Sequence, residues 1–305
     1  MPNVLVTGAT GYVGATLIPV LLADGHEVRA YARRPEGVEA DVAVVQGDAV
    51  EGTNLDEALE GIDVAYYLLH SMSGTSAKGF ADTEQQAASQ FAAAMQRQGV
   101  RRVVFLGGVL PPEGSRISRH MASRLAVERT LLAAAPEGVA FRASIVVGAG
   151  SSSFRFLVHL VERTPILPLP AWRDGRTEPI DERDVMAYLR AAATVEDVGS
   201  GSFDIPGPDV VTYGEMVGAI ADALLVNRPA IRLPFNLTPI AAPVAGAIAS
   251  ADVGLIQPLM ESLEEDLLAR DDTARTRFGV RVHRFEAAIE RALRDMEATR
   301  ELRAR

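Results

Sequence analysis

The sequence predicts an α/β protein, a doubly wound parallel sheet followed by a smaller, irregular carboxyl-terminal region. Three observations predict it. Short apolar runs alternate with amphipathic helical stretches through the first 150 residues, the pattern of a parallel sheet covered by helices on both faces. A glycine-rich segment joins the first apolar run to the first helical stretch. Beyond Gly150 the rhythm gives way to Pro-rich turns.

Val4 to Thr7 is a short apolar run with no basic leader, so it reads as a buried strand and not as a signal peptide. Val13, Leu17, Val20 and Leu21 then recur at helical spacing, and Gly25 supplies the stop of a helix over 12 to 24. Strands follow at Glu27 to Ala32 and Val42 to Val45, with a short helix over 54 to 60. Val64 to Leu69 is an uninterrupted apolar run, as expected of a strand buried on both faces. A helix from Asp82 to Gln98 presents Ala87, Phe91, Ala94 and Met95 on one side and ends at Gly99. Arg102 to Leu106 is the next strand, Ser118 to Ala135 the next helix, and Val139 to Val147 contains the sixth strand.

Past residue 150, Pro-rich turns at 165 to 170 and 206 to 208 separate two strand-helix pairs near 177 to 194 and 201 to 225, and an amphipathic helix is expected near 284 to 300. The domain reading is therefore 1–150 for the sheet and 151–305 for a substrate region partly interwoven with it. The uncharged stretch from Leu233 to Ala251 is broken by Pro234, Pro239 and Pro243 and reads as a buried helix or pocket wall, not a membrane span.

Composition narrows the function classes. Hydrophobic residues make up 48% and charged ones 23%, a globular balance. Forty acidic against thirty basic residues give a net charge of −10, which repels phosphate backbones and disfavours nucleic acid. Small molecules are the default ligands; the oligomeric state is left open. The lack of Cys excludes disulfides and thiolate nucleophiles and agrees with a cytoplasmic location. Five scattered His give no metal-ligand spacing, so no metal is expected. There is no Gly-x-Ser-x-Gly elbow for a hydrolase, and the Ser151 to Ser153 cluster reads as a helix-opening turn. Lys78 is the only lysine, placed in a loop with Gly74, Ser76 and Gly79.

The segment VTGATGYVG sets Gly8, Gly11 and Gly14 where the first strand turns into the first helix. Gly8 allows the tight turn, Gly11 lets backbone amides approach a pyrophosphate, and Gly14 permits close packing of helix on strand. Thr10, Tyr12 and Val13 complete the loop. In this context the motif predicts dinucleotide binding in a Rossmann sheet. An NAD site would place an acidic residue at the end of the second strand to hold the ribose 2′-hydroxyl. Arg33 and Arg34 stand there instead. Guanidinium groups match a 2′-phosphate, so NADP(H) is preferred over NAD(H), with Arg33 the first choice; the bland alternative is a pair of solvated charges.

Further stretches, QGDAV (46–50), YYLLHSM (66–72), VFLGG (104–108), SRHMASRLAVERTL (118–131), FRASIVVGAG (141–150) and EPIDERDV (178–185), extend the pattern over nearly the whole chain. Together with the glycine loop they resemble the short-chain dehydrogenase/reductase superfamily, in its atypical extended branch of NmrA-like and YbjT-like NAD(P)-binding proteins. The resemblance implies Asp48 and Ala49 at the adenine, Leu69 and His70 beside the ribose-nicotinamide linkage, Gly107 and Gly108 at the active-site strand end, and Ala143, Ser144 and Ile145 near the nicotinamide. Asp48 could equally cap a turn, Gly107 break a strand, and His70 be a half-buried structural histidine.

Ordinary members of the superfamily carry Tyr-x-x-x-Lys, in which the lysine lowers the tyrosine pKa and holds the ribose. His120 and Arg124 occupy those positions here, and no Tyr has a Lys four residues later. Four residues apart, they share a helix face. Arg124 can supply permanent charge but cannot shuttle a proton. His120 can exchange one near neutral pH, with His70, Ser115, Ser118, Ser123 and water as alternatives. The expected function is an NADPH-dependent reductase of an apolar carbonyl, enone or quinone-like substrate, whose pocket Trp172, Phe235 and Met260 would line. The alternative is an NADP-binding redox sensor or accessory protein without turnover.

Overall fold

The computed structural model describes residues 1–70, 79–115, 117–232 and 265–302. Strands β1 (Asn3–Thr7), β2 (Glu27–Ala32), β3 (Ala43–Gln46), β4 (Val64–Tyr67), β5 (Arg102–Gly108) and β6 (Glu137–Ala143) alternate with helices α1 (Tyr12–Ala23), α2 (Leu55–Leu59), α3 (Phe80–Gln98) and α4 (Arg119–Leu132). After them come β7 (Val146–Val147), α5 (Ser152–Arg163), β8 (Leu167–Leu169), β9 (Arg176–Thr177), β10 (Ile180–Asp181), α6 (Glu182–Ala192), β11 (Gly201–Asp204), β12 (Val211–Thr212), α7 (Tyr213–Ala223), β13 (Ala230–Arg232), α8 (Thr273–Phe278) and α9 (Phe285–Glu297).

Among the described residues, seven strands form one parallel sheet in the order β11-β6-β5-β4-β1-β2-β3. The side-chain period of two divides each central strand between two cores. Val4 and Val6 of β1 pack with Leu17, Ile18 and Leu21 of α1 and with Val185 and Leu189 of α6. Leu5, on the opposite face, packs with Phe91 and Met95 of α3 and Leu131 of α4. A third core joins α5, α7 and α9 through Phe154, Leu157, Val217, Ile220, Ile289 and Leu293.

The sheet does not end where the alternation ends. Gly201 to Asp204 pairs in parallel with Val139 to Arg142 and becomes the seventh strand, and α6 covers the same face as α1. Residues beyond 150 thus complete the sheet as well as building the third core. Strand β4 stops at Tyr67, because the Leu68 N–H turns to the Thr7 hydroxyl instead of continuing the ladder. The 139–147 run divides at Ser144, and its second piece, β7, pairs with β10. No described helix is long and apolar enough to cross a membrane. The 233–251 stretch, Phe235, Met260 and the Lys78 loop lie outside the described residues.

One buried cation ties the region beyond residue 150 to the sheet. Arg102 of β5, 1% exposed, donates to the carbonyl of Ala192 at 2.6 Å, to that of Val195, and to the Glu137 carboxylate at 2.7 Å. It satisfies carbonyls that the end of α6 leaves without helical donors. Arg102→Met is expected to lower unfolding stability by about 3 kcal/mol, since it removes a charged donor from buried acceptors. Urea denaturation monitored by circular dichroism measures this, and an unchanged midpoint would contradict it.

Candidate active site

The chain leaves β1 towards β2 and β3 on one side and returns to β4 on the other, so the carboxyl ends of β1 and β4 flank the point where strand order reverses. In open α/β sheets that crevice receives ligands. Thr7 secures it: its hydroxyl donates to the Tyr66 carbonyl at 3.0 Å and accepts from the Leu68 N–H at 3.1 Å. Gly8 follows with φ +65°, and a Cβ there would lie 2.5 Å from the Leu68 carbonyl oxygen. A Cβ on Gly14 would lie 2.4 Å from the Gly8 carbonyl oxygen, so α1 meets the loop backbone to backbone.

Gly11 caps α1, and among the described residues no side chain caps it; α4, α5, α6 and α7 are capped by Ser118, Ser151, Asp181 and Thr212. The first-turn N–H groups of α1 are therefore left to an external acceptor, beside exposed Thr10 and Gly11 and partly exposed Val13. This geometry fits a dinucleotide pyrophosphate, because the space a Cβ would take at the turn is backbone contact and the donors point outward.

Tyr12 turns inward. Its ring lies against Gly148 and Gly150, where added Cβ atoms would stand 2.1 Å from its hydroxyl and 2.2 Å from its Cδ2. The hydroxyl donates to the Glu182 carboxylate at the start of α6, and burial with that carboxylate raises the phenol's pKa far above its ordinary value. Tyr12 thus contributes its ring to the junction between the loop and the carboxyl-terminal region. At the end of β2, Arg33 and Arg34 are exposed, next to the loop: a Cβ on Gly37 would stand 3.0 Å from the Thr10 methyl. Buried Tyr31 donates to the Thr53 carbonyl at 2.7 Å, with its pKa pushed up to about 12 by burial. Asp48 shapes the same turn, accepting from the Val50 N–H at 2.8 Å and donating its own N–H to the Thr53 hydroxyl at 2.7 Å; Ala49 behind it is buried.

Across the crevice, the ends of β4, β5 and β6 bring Leu69, His70, Gly107 and Ala143 to the same end of the sheet. A Cβ on Gly107 would lie 2.8 Å from the Phe105 ring. The Ser144 hydroxyl donates to the Glu178 carbonyl, and the Ile145 carbonyl accepts from the Ile180 N–H at 3.0 Å, so both residues are tied to the segment that leads into α6. His70 and His120, fifty positions apart, stack with ring centroids 5.1 Å apart and planes at 30°. Desolvation, the Arg124 guanidinium and the His120 ring all lower the pKa of His70 and hold it neutral.

Arg124 is 8% exposed. It donates to the Leu69 carbonyl at 3.1 Å and the Leu106 carbonyl at 2.9 Å, pairs with Glu84 at 3.4 Å, and lies 4.6 Å from the centroid of the Phe105 ring. The Ser123 hydroxyl donates to the same Glu84 carboxylate at 2.9 Å. Ser118 serves as the cap of α4, accepting from the Met121 N–H at 3.2 Å, and Ser115 is partly buried in the preceding turn. Trp172 packs edge-on to Tyr213 in the third core, with centroids 6.3 Å apart. Among the described residues no cluster of three His, Asp or Glu could hold a metal ion.

Sequence reasoning missed Glu84. Its signal was present: Glu84, Ala87, Ala88 and Phe91 share a helical stripe, so a lone carboxylate opens an otherwise apolar face. Thr7 and Glu182 were missed for want of any comparable pattern.

Residues 8–129 match a family model described as NAD(P)H-binding. The solved structure of MoeE5 in complex with UDP-glucose and NAD has the same fold, with a TM-score of 0.75 over 98% of this chain and 100% of that one at 21% identity. A ceramide reductase of Caulobacter vibrioides is 28% identical over 235 residues, covering 76% of this chain and 73% of the relative. Together the matched domain and these likenesses support the atypical short-chain dehydrogenase/reductases as the family this chain is similar to. The chain is also 25% identical to mitochondrial NADH dehydrogenase (ubiquinone) 1 alpha subcomplex subunit 9 of Arabidopsis thaliana, over 80% of its own length and 62% of that protein's.

Proposed function

We propose that this protein is an NADPH-dependent reductase of an apolar carbonyl, enone or quinone-like substrate. One observation carries the reading: an uncapped glycine turn at the strand-order reversal, with exposed Arg33 and Arg34, and no carboxylate, at the end of β2. Gly8, Gly11 and Gly14 leave backbone room, and the N–H groups of Tyr12 and Val13 face the pyrophosphate. Arg33 binds the 2′-phosphate with Arg34 beside it, and the Asp48-Ala49 turn borders the adenine. Leu69, Gly107, Ala143, Ser144 and Ile145 form the wall of the nicotinamide half. When bound, NADPH supplies hydride from C4 of its nicotinamide.

His120 is the proton donor of this reading. His70 lies beside it, with ring centroids 5.1 Å apart, and is held neutral by burial and the Arg124 guanidinium. A conjugated substrate eases the demand on that acid, because charge spreads over the conjugated system. An apolar substrate agrees with the likeness to a ceramide reductase. The likeness to an NADH dehydrogenase subunit favours a second reading, an accessory protein that binds coenzyme without turnover.

The test is calorimetry with NADPH and NADH, followed by NADPH absorbance with a panel of quinones, enones and ketones. Tighter binding of NADPH with substrate-dependent consumption is expected. Tight binding with no consumption would replace the first reading by the second, and binding of neither coenzyme would end both. His120→Phe is expected to slow turnover about thirtyfold, below the hundredfold or more typical of an obligate general acid, while leaving the NADPH dissociation constant unchanged. Steady-state rates on the best substrate measure it.

A further inference from the structure

We propose that Glu84 is a positioning residue for coenzyme binding, acting through Arg124 on the ends of β4 and β5. The inference rests on the coenzyme reading above and assigns a role to a residue on α3 that lies outside the quoted motifs.

Glu84 is 3% exposed, and each of its carboxylate oxygens meets α4: Oε1 pairs with the Arg124 guanidinium at 3.4 Å and Oε2 accepts from the Ser123 hydroxyl at 2.9 Å. Arg124 in turn spends one guanidinium nitrogen on the Leu69 carbonyl, just past β4, and the other on the Leu106 carbonyl in β5. A single planar fork therefore sets the spacing of two strand ends, and its position across the face of the Phe105 ring fixes its plane. Those carbonyls can accept from Arg124 only while the guanidinium is held at the correct depth. The buried carboxylate does this, since an isolated guanidinium in that place would be drawn towards water.

The charge is also spoken for. Burial pulls the pKa of Arg124 down, Glu84 opposes that, and the guanidinium, which stays protonated, is balanced by the Glu84 carboxylate. The cluster thus contributes geometry to the crevice in place of a free cation. Because the glycine turn and the β2 end take the pyrophosphate and the adenosine 2′-phosphate, the β4 and β5 ends lie under the opposite half of the coenzyme. Loosening them weakens contacts to the nicotinamide mononucleotide half and spares the adenosine half.

The experiment is calorimetry of the full chain and of Glu84→Gln with NADPH and with adenosine 2′,5′-bisphosphate, which lacks the nicotinamide half. The neutral amide keeps the size of the side chain and removes its charge. Glu84→Gln is expected to weaken NADPH about tenfold and leave adenosine 2′,5′-bisphosphate within error of the parent protein. Equal loss for both ligands, or no loss for either, overturns the assignment as a merely structural or irrelevant contact. Ser123→Ala, which deletes one hydrogen bond to the same carboxylate, is a milder second variant expected to move NADPH alone in the same direction; it decides the matter if Glu84→Gln does not fold. Should the parent protein bind neither ligand, the coenzyme reading itself fails, an outcome distinct from either failure of Glu84.

Discussion

Gly14→Ala is expected to weaken NADPH binding more than a hundredfold while the sheet still folds. The added methyl would sit 2.4 Å from the Gly8 carbonyl oxygen, 2.9 Å from its carbon and 3.1 Å from the Ala9 Cα, all backbone atoms that cannot swing aside as a side chain would. Helix α1 must then withdraw from the loop or tilt, and its first-turn N–H groups move with it. Overpacking of this kind costs about 1–3 kcal/mol in stability, but hydrogen bonds from a displaced helix end to a doubly charged pyrophosphate are lost together, hence the larger effect on binding. Calorimetry with NADPH and a thermal melt separate the two. A folded Gly14→Ala protein with parental affinity would show that the coenzyme does not rest on this loop.

Arg33→Asp is expected to invert coenzyme choice, changing the NADPH to NADH affinity ratio by about a thousandfold. Hydrogen bonds between charged groups contribute about 1.5–3 kcal/mol, and a carboxylate facing a 2′-phosphate adds repulsion, while the same carboxylate can accept from the 2′-hydroxyl of NADH. Arg33 is exposed, so its removal leaves no buried partner behind and the fold is unaffected. The dissociation constants of both coenzymes, measured on parent and variant, test this; an unchanged ratio would assign the 2′-phosphate to another cation. The effect also shrinks with salt, as expected of an exposed ionic contact.

Much of the fold was legible because its signals are local. The alternation of apolar runs with helical stripes anticipated β1 to β6 and α1 to α4 within a few residues, and the glycine spacing anticipated both the positive φ at Gly8 and the backbone contact at Gly14. The misplacements have physical reasons. Leu69 belongs to an apolar run yet lies outside the strand, because Thr7 diverts the ladder at Leu68. The break at Ser144 is marked by no Gly or Pro, and only the pairing of the two halves with different strands reveals it. The seventh strand, Gly201 to Asp204, opens the strand-helix pair read near 201 to 225, but nothing in its four residues reveals that it pairs with β6 and so joins the main sheet.

The candidate site divides in the same way. The glycine turn and the arginines after β2 were visible as contiguous motifs in the chain. The stacking of His70 on His120, the hold of Glu84 on Arg124 and the seat of Tyr12 against Gly148, Gly150 and Glu182 join positions 40 to 170 residues apart. Sequence alone determined the class of fold and displayed the glycine turn and the charges at a strand end on which the coenzyme proposal rests, since backbone conformation, periodicity and charge are properties of neighbouring residues. Tertiary structure decided which buried charges neutralise one another and which imidazoles share a crevice, because those depend on distances that close only when helices from remote parts of the chain pack onto one sheet.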